Sequence, residues 1–379
     1  MFFIYTIRNL IARRATVVPT MLAIITTVAV ITIMQALVAG LLGTIHDSGQ
    51  ADNAVVLSQS ADSDSTSGFG VPLVQKIAVL PEVAKVGGVE QVSPELVVTN
   101  KFRGPDGHVA TVNVRGVDPI ALQVHQGVKL SQGALPENHA PGCVVGAKRV
   151  GKLDGFQMGG KVRIGHQDWP ITGVLTAPST QFESELWCDK TALQAETRRP
   201  IISVIYAHLT GAGAQQAFAN GVRAIADAPL DAFPEPVHFQ RSSSSIDVYV
   251  RAVMIISLVL AIGAILACIN AVYLAFLGRI RELATLVAIG YTRWRIAWIA
   301  LQESLLMTLV SGAIGLGLAM LIDGRTFGME EISVIYAASV TSRVVLIGVV
   351  VTLAIGILGA AASVIHALRL KILFGLRTL

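Results

Sequence analysis

Four long apolar stretches constrain this chain more than any other feature of its sequence. They run from about Val17 to Leu42, Val250 to Leu277, Ala297 to Ile322 and Val344 to Ile365. A helix needs roughly 20 mainly apolar residues to cross the hydrocarbon core of a bilayer, and each stretch is long enough. Only 14% of the residues are charged, whereas soluble domains carry about 25%. The sequence therefore predicts a membrane protein with four transmembrane helices.

The positions of Lys and Arg predict how these helices are oriented. Three Arg precede the first span, four lie between the second and third, and two Arg and one Lys follow the fourth. The segment between the third and fourth spans has two Arg against three acidic residues. Cytoplasmic loops are enriched in Lys and Arg, so both termini and residues 279–296 are expected in the cytoplasm of an inner-membrane, multi-pass protein. No basic patch interleaved with aromatic residues indicates a nucleic-acid partner.

The spacing of the spans predicts a one-plus-three arrangement with a large insertion. Residues 1–45 form an N-terminal cytoplasmic helix and the first span, retained as an anchor because its apolar run exceeds the roughly 7–15 residues of a signal-peptide core. Residues 46–245 alternate short β-rich runs and turn signals with two helical patches, which predicts an extracytoplasmic α+β domain. Residues 246–379 hold spans two to four, a cytoplasmic connector at 279–296 and a cytoplasmic tail.

The connector, defined as residues 279–296, has the pattern of an amphipathic helix. Leu283, Leu286 and Val287 recur on one helical stripe, and pairs of Arg stand at both ends of the segment. Gly290 can end or bend the helix because glycine tolerates positive φ. Such a helix can lie at the membrane surface or present its face to a partner, and the pattern alone leaves both open.

No motif in the chain predicts catalysis or a bound cofactor. Residues 155–161 have the G-x-x-x-x-G-K spacing of a phosphate loop, but Val162 stands where Ser or Thr would hold Mg²⁺. The segment also leads into a strand-like run, which favours a glycine-rich turn. The histidines are scattered and none pairs with Cys143 at a zinc-site spacing. We therefore expect no metal and no ATPase activity in this chain, with ATP and Mg²⁺ on a partner subunit.

Two cysteines fall in strand-like parts of the extracytoplasmic domain. Cys143 and Cys188 would form a disulfide in an oxidising compartment if they are close in space. Two separate buried thiols are the alternative, and sequence alone leaves both open.

Three polar residues lie within the predicted spans. Glu303 either hydrogen-bonds a neighbouring helix or the connector, or reaches the headgroup region, while Gln35 and Asn270 can hydrogen-bond between helices. Small residues recur as Gly312-x-x-Gly315 in the third span, with a similar group in the fourth, and they allow helices to approach closely.

In their order along the chain, these segments resemble the FtsX/MacB-like, four-span permeases of ABC transporters. Residues 7–14 resemble the family's entry helix, and residues 114–119, 130–133, 144–149, 159–164 and 169–175 are similar to its periplasmic domain. The most specific match covers 281–296. Its resemblance to the coupling segment of the family implies that the residues engaging the ATPase are Arg281, Glu282, Leu286, Gly290, Arg293 and Arg295. The tail resembles the family's closing segment but has Lys371-Ile372 where a proline is usual.

The resemblance implies a permease subunit that couples ATP hydrolysis on a separate cytosolic ATPase to extracytoplasmic movement. Expected partners are the ATPase, a second permease copy (identical or a paralogue), the lipid bilayer and a periplasmic adaptor. The expected cargo is a peptide, antibiotic, lipid or lipoprotein. The alternatives are a non-transporting regulator of an extracytoplasmic enzyme or sensor, and a membrane scaffold without an ATPase.

Overall fold

The computed structural model describes residues 14–59, 61, 63–242, 244–278, 280–329 and 334–368. Residues 7–13 of the expected entry helix and residues 369–377 of the expected closing segment lie outside these ranges. In chain order, the helices are α1 (Arg14–Asp47), α2 (Pro72–Ala78), α3 (Ala121–Val124), α4 (Lys190–Thr197), α5 (Gln215–Arg223), α6 (Glu235–Ser242), α7 (Ser244–Leu277), α8 (Ile280–Ala288), α9 (Arg293–Met320), α10 (Ser342–Gly359) and α11 (Ala361–Leu368).

The strands lie between α1 and α6 and between α9 and α10. In chain order they are β1 (Asn53–Ser58), β2 (Lys85–Val86), β3 (Val89–Glu90), β4 (Val92–Arg103), β5 (Val109–Val117), β6 (Lys129–Gly133), β7 (Cys143–Gly146), β8 (Lys161–Ile164), β9 (Gln167–Thr176), β10 (Leu186–Asp189), β11 (Val204–His208), β12 (Leu230–Pro234), β13 (Thr326–Met329) and β14 (Val334–Ala337).

Four helical segments of the described chain are long and apolar enough to cross a membrane. They are Val17–Asp47, Val248–Leu277, Arg293–Met320 and Ser342–Leu368. This result confirms the prediction of four spans in a one-plus-three order, with a mixed α and β domain inserted after the first.

The chain divides into two units. The membrane unit comprises residues 1–40, 248–325 and 338–379, and the extracytoplasmic unit comprises residues 41–247 and 326–337. The second range is the β13–β14 hairpin, which the predicted range of 46–245 did not include. The segment that joins the third and fourth spans therefore contributes a hairpin to the extracytoplasmic unit.

The membrane unit has a core to which all four spans contribute. Ile24 and Val28 of α1 pack with Cys268 of α7, Met307 of α9 and Ile355 of α10. Its tightest helix contacts occur where glycine leaves room for a neighbouring side chain or backbone.

The contact between α9 and α10 shows how close this approach is. A Cβ atom at Gly356 would lie 2.4 Å from Thr308 Oγ1, and one at Gly312 would lie 2.3 Å from Thr352 Cγ2. Ser304 Oγ donates a 2.7 Å hydrogen bond to the carbonyl of Gly356. The small residues of spans three and four therefore pack against each other within one chain.

The extracytoplasmic unit is built on a ten-stranded sheet of order β12-β1-β11-β4-β5-β10-β7-β9-β6, with β8 paired to β9. Strand β4 belongs to both halves of this sheet, because its residues 92–95 pair with β11 and its residues 96–103 pair with β5. The half that contains β1, β11 and β12 packs on α2 and α5 through Ile77 and Phe218. The half that contains β5, β7, β9 and β10 has its own core around Phe156 and Trp169.

Cys143 and Cys188 face each other across the antiparallel pair β7–β10 and form a disulfide. Residues 155–160, which have the phosphate-loop spacing, form turns that lead into β8. The segment therefore does not open a helix, as a phosphate loop must.

The β13–β14 hairpin is bonded to the rest of the extracytoplasmic unit through its backbone and side chains. The amide of Ile335 donates to Ser184 Oγ at 2.9 Å, and the same hydroxyl donates to the Ile335 carbonyl at 3.4 Å. Lys152 Nζ donates to Thr326 Oγ1 at 3.2 Å.

Candidate coupling site

The connector consists of a short helix and a tight turn, followed by the first turn of the third span. Helix α8 ends at Ala288, and Gly290 follows with φ of 106°. The amide of Gly290 donates to the Val287 carbonyl and that of Tyr291 to the Leu286 carbonyl, both at 3.0 Å. This is the Schellman arrangement that ends a helix at a left-handed glycine. The sequence pattern suggested one continuous segment at 279–296, whereas Arg293 and Arg295 lie on the first turn of α9.

The apolar stripe of α8 packs against the chain's own helices. Leu283 is buried, and Leu286 and Val287 are half-buried against it. Together with residues of three neighbouring helices they form one cluster, whose other members are Phe276 of α7, Ile296, Ala297 and Ala300 of α9, and Val364, Ala367 and Leu368 of α11. Leu286 therefore supports the connector from within. The stripe is not a free face that a partner could occupy.

The opposite face of the connector is exposed and carries both apolar and cationic side chains. We call Ile289, Arg293, Trp294 and Arg295 the outer patch. Ile289 is 72% exposed and Trp294 is 73% exposed, and both Arg side chains are exposed as well. The guanidinium of Arg295 lies 6.0 Å from the ring centre of Tyr291.

The two Arg of the outer patch stand at an unfavourable place for helix stability. The N-terminus of a helix carries partial positive charge and favours acidic residues, yet the first turn of α9 has none. The needs of the helix therefore do not explain their position. Arg281 and Glu282 lie on α8, and their side chains are outside the described part of the structure.

The three polar residues of the spans occupy different environments. Glu303 is 4% exposed in α9, so its side chain lies inside the membrane unit and not at the surface of this chain. Gln35 in α1 is half-buried, and Asn270 in α7 is exposed.

A buried group of charged side chains lies in the extracytoplasmic unit where the two halves of the sheet meet. We call it the ionic cluster. No more than about a tenth of each side chain is exposed, and charged side chains are rarely buried to that extent unless they are paired. Its members are Asp64, Glu95, Arg115, His125, Glu185, Glu235 and His238.

Arg115 is the centre of the ionic cluster. Its Nε and Nη2 donate to the two carboxylate oxygens of Glu185 at 2.6 and 2.8 Å. Its Nη1 donates to Glu95 at 2.7 Å and its Nη2 also reaches Asp64 at 3.3 Å. The rings of Phe182 and Tyr206 lie 5.3 and 5.6 Å from the guanidinium carbon. The guanidinium thus donates four hydrogen bonds to three buried carboxylates, which makes Arg115 a structural centre of the unit.

The two histidines extend the cluster to helix α6. His125 Nε2 lies 2.8 Å from Glu95, and its Nδ1 lies 3.8 Å from Glu235 Oε1. His238 Nε2 lies 2.7 Å from Asp64. Glu235 accepts hydrogen bonds from Asn53 Nδ2 and from the amide of Gln50, both at 3.0 Å.

The surroundings shift the pKa values of these carboxyl groups in opposite directions. Burial opposes ionisation of Asp64, but the charges of His238 and Arg115 outweigh it and hold its pKa well below the usual range. Burial likewise opposes ionisation of Glu95, and His125 and Arg115 together lower its pKa. At Glu235 burial prevails and raises the pKa.

Sequence reasoning did not identify the ionic cluster. Its seven members come from six separate segments, and Asp64 and His238 are 174 positions apart along the chain. Glu185 and His125 have no recognisable motif spacing to a partner in the sequence. The one available signal was charged and imidazole residues within apolar strand patterns, such as Arg115 between Val114 and Val117.

The fold and the connector together define a class of protein: a multi-pass membrane protein whose four spans support a large extracytoplasmic domain. Residues 17–225 match the model of the MacB-like periplasmic core domain, and residues 254–372 match that of the FtsX-like permease C-terminal region. The chain belongs to the FtsX/MacB-like ABC transporter permeases. It is thus an inner-membrane permease-type subunit of a family whose members work with a cytosolic ABC ATPase.

Three solved structures are similar to about half of the chain. The periplasmic region of MacB from Actinobacillus actinomycetemcomitans is 13% identical over 54% of this chain and 98% of its own, with a TM-score of 0.39. The extracellular domain of the noncanonic ABC-type transporter YknZ from Gram-positive bacteria is 12% identical over 48% and 99%, with a TM-score of 0.36. A permease domain from Porphyromonas gingivalis is 17% identical over 50% and 91%, with a TM-score of 0.32. No curated protein matches the chain. The family assignment rests on the two family models.

Proposed function

We propose that this permease transmits the work of a separate cytosolic ATPase to its extracytoplasmic domain. In this proposal both termini and the connector face the cytoplasm, and the ATPase binds the outer patch. Movement of the connector is passed to the spans and from them to the extracytoplasmic unit. The cargo is a peptide, antibiotic, lipid or lipoprotein handled at the outer face, with an adaptor protein as a further partner.

The two-sided packing of the connector is the observation that carries this proposal. Its inner face is held by Leu283 against the first turns of α9 and the last turns of α11. Its outer face leaves Ile289 and Trp294 exposed. A force applied to the exposed side therefore acts on two spans at once, because buried side chains are close-packed and transmit displacement.

A second permease copy fits the exposed surface of α7. Asn270 lies on that surface with Gly263 and Ala267, which are exposed as well. An exposed amide in an apolar span is costly in lipid, and small residues beside it allow another helix to approach. These features support a dimer with α7 at the contact.

The proposal is tested by the ATPase activity of the reconstituted complex. The full chain is placed in nanodiscs with the ABC ATPase that co-purifies with it, and Ile289→Asp and Trp294→Ala are compared with the wild type. Both variants should reduce stimulation of the ATPase by about tenfold or more. Ile289→Asp puts a charge into the proposed interface and Trp294→Ala removes a large aromatic side chain, and such central side chains carry most of the binding energy of an interface. Val86→Asp is the matched control, because Val86 is 60% exposed on the extracytoplasmic unit.

Two outcomes would contradict the proposal. In the first, Ile289→Asp or Trp294→Ala still binds the ATPase and stimulates it fully. In the second, Val86→Asp loses as much ATPase stimulation as the two patch variants. In the first case the ATPase contacts another surface, and in the second the loss reflects general damage to the chain.

A further inference from the structure

Residues 181–185, between β9 and β10, contact all three elements that link the extracytoplasmic unit to the membrane unit along the chain. The chain passes between the two units at residues 40/41, 247/248, 325/326 and 337/338. The linking elements are therefore the end of α1, helix α6, which precedes α7, and the β13–β14 hairpin, which accounts for two of the four passages. We call residues 181–185 the anchor segment. It is one turn of 3-10 helix at Gln181–Ser184 followed by Glu185, and it lies within the extracytoplasmic unit.

The first contact of the anchor segment is with the end of α1, which contains the first span. Ser48 follows the last residue of this helix and is buried. Its hydroxyl donates to the Thr44 carbonyl at 2.7 Å and accepts a hydrogen bond from the amide of Gln181 at 2.8 Å. One hydroxyl therefore bonds the anchor segment to the last turn of α1.

The second contact is with α6, which ends at Ser242 shortly before α7 begins at Ser244. Phe182 and Phe239 are both buried, and their rings pack edge to face with centres 5.9 Å apart. Aromatic pairs of this geometry stabilise a contact beyond the area that they bury. The chain that leads into the second span is thus packed on the anchor segment.

The third contact is with the hairpin between the third and fourth spans. The Ser184 hydroxyl accepts a hydrogen bond from the Ile335 amide at 2.9 Å and donates one to the Ile335 carbonyl at 3.4 Å. Both residues are buried, so removal of the hydroxyl leaves the Ile335 amide without this acceptor in the protein interior, which is unfavourable. Ser184 therefore holds the hairpin on the anchor segment.

The anchor segment is itself held by both halves of the sheet. The Glu185 carboxylate accepts two hydrogen bonds from Arg115, at 2.6 and 2.8 Å, and Arg115 also donates to Glu95 of β4 at 2.7 Å. The amide of Gly146 in β7 donates to the Glu185 carbonyl at 3.0 Å, and a Cβ atom at Gly146 would lie 2.3 Å from the Glu183 carbonyl oxygen. Because the segment is packed directly against β7, a displacement of the segment is passed into the sheet.

We propose that the anchor segment is the place where the movements of the four spans are combined and passed into the extracytoplasmic sheet, with Ser48 and Ser184 as positioning residues. The proposal rests on the function proposed above, because it presumes that the spans move. Three elements attached at separate parts of a ten-stranded sheet would each shift different strands. Here five consecutive residues hold all three, so the elements move together and their displacement reaches Arg115 through Glu185.

The proposal is tested with the full chain and its co-purifying ATPase in nanodiscs, by spin-label distances between two copies labelled at Lys101→Cys in a Cys268→Ser background. The double variant Ser48→Ala with Ser184→Ala removes the hydroxyls that make two of the three contacts and leaves the outer patch unchanged. It should stimulate the ATPase like the wild type but lose the change in distance on ATP trapping.

The matched control is the double variant Ser131→Ala with Ser203→Ala. Both hydroxyls donate to strand carbonyls of the same sheet, at 3.1 and 3.4 Å, and neither residue belongs to an element that leads to a span. This variant should keep both the ATPase stimulation and the distance change.

Hydrogen–deuterium exchange of the Ser184→Ala chain in nanodiscs, without the ATPase, tests whether the three elements are held together. Exchange should rise by about fivefold or more at residues 334–337, as the loss of a buried hydrogen bond predicts. It should also rise at residues 235–242, whose contact with the anchor segment is made through Phe182. Ser203→Ala should change neither range.

A distance change that persists in the Ser48→Ala, Ser184→Ala variant would overturn the inference, and so would an equal loss in the control. A rise in exchange confined to residues 334–337 would also overturn it, and this result decides the matter if the double variant fails to fold. A wild-type chain without any distance change on ATP trapping would refute the proposed function as well, so the two failures are distinguishable.

Discussion

Gly290 ends the connector helix because it has no side chain. Its φ of 106° is a conformation that L-residues rarely adopt, and no heavy atom lies within 4 Å of where its Cβ would stand. Gly290→Ala should therefore introduce backbone strain of about 1–2 kcal/mol without a steric clash. Gly290→Pro should be worse, since it also removes the amide that bonds to Val287.

The expected readouts for Gly290 are a lower thermal midpoint and weaker stimulation of the ATPase. Gly317→Ala is the matched control, because Gly317 lies within α9 with open space around it and without a positive φ. Alanine there should be neutral or slightly stabilising. Equal losses in both variants would mean that the turn at Gly290 has no special role.

Glu95 and Glu235 should respond differently to the loss of their charge, although both are buried. Glu95 accepts from Arg115, His125 and Ser93, so Glu95→Gln removes one partner of a buried pair, at a cost of about 3–5 kcal/mol. Glu235→Gln should cost less, because burial works against the charged form and raises the pKa of Glu235, and an amide oxygen can accept the same bonds. Chemical unfolding of the full chain at pH 7 distinguishes the two. Similar losses for both would contradict this account of the cluster.

The carboxyls with lowered pKa values make the extracytoplasmic unit sensitive to acid. In the folded state Asp64 and Glu95 bind protons less readily than in the unfolded chain, where their pKa values are about 3.9 and 4.3. Their stabilisation is therefore fully present above those values and is lost as the pH falls below them. Thermal midpoints measured from pH 6 to pH 3 should decline steeply for the wild type and less steeply for Glu95→Gln.

Among the elements, the four spans could be predicted from the sequence, but which side of the connector helix packs inward could not. Four runs of apolar residues exceed the length that a bilayer requires, so hydropathy alone identifies them. Gly290 likewise marks the end of α8 correctly, because few other residues tolerate its backbone angle. The stripe of Leu283 and Leu286 has the same periodicity whether it covers a partner or the chain's own helices. Only the packed structure shows that it faces inward.

Long-range pairing explains what else the sequence did not reveal. The hairpin of β13 and β14 has four residues in each strand, which is too short for a reliable periodic pattern. The ionic cluster depends on contacts between distant segments, such as Arg115 with Glu185. Neither has a local signature, so both appear only once the fold is known.

The packing of α9 on α10 gives a prediction at the level of elements. Gly356→Val should force the two helices apart, because its new atoms would meet Thr308 Oγ1, which is 2.4 Å from the Cβ position, and Leu305 at 3.0 Å. Overpacking of this kind costs about 1–3 kcal/mol, so the thermal midpoint in detergent should fall. Gly317→Val, which meets no atom within 4 Å, is the control. A larger loss at Gly317 than at Gly356 would contradict the packing of these helices.

For the whole molecule, the chain leads from the outer patch to the extracytoplasmic unit by two routes. The connector packs on the ends of α9 and α11, and the chain that leaves α9 enters the β13–β14 hairpin of the extracytoplasmic unit. The second route is α7, which follows α6 and its ionic cluster.

The central claim is that ATP hydrolysis on the partner ATPase moves the extracytoplasmic domains through the connector. It is tested most directly by spin-label distances between two copies of the chain, with Lys101→Cys labelled on the exposed end of β4 and Cys268→Ser removing the free thiol. With the ATPase bound, the distance distribution should change between the nucleotide-free and ATP-trapped states. Ile289→Asp should abolish that change while leaving the nucleotide-free distribution intact. An unchanged distribution on ATP trapping, or a change that persists in Ile289→Asp, would contradict the claim.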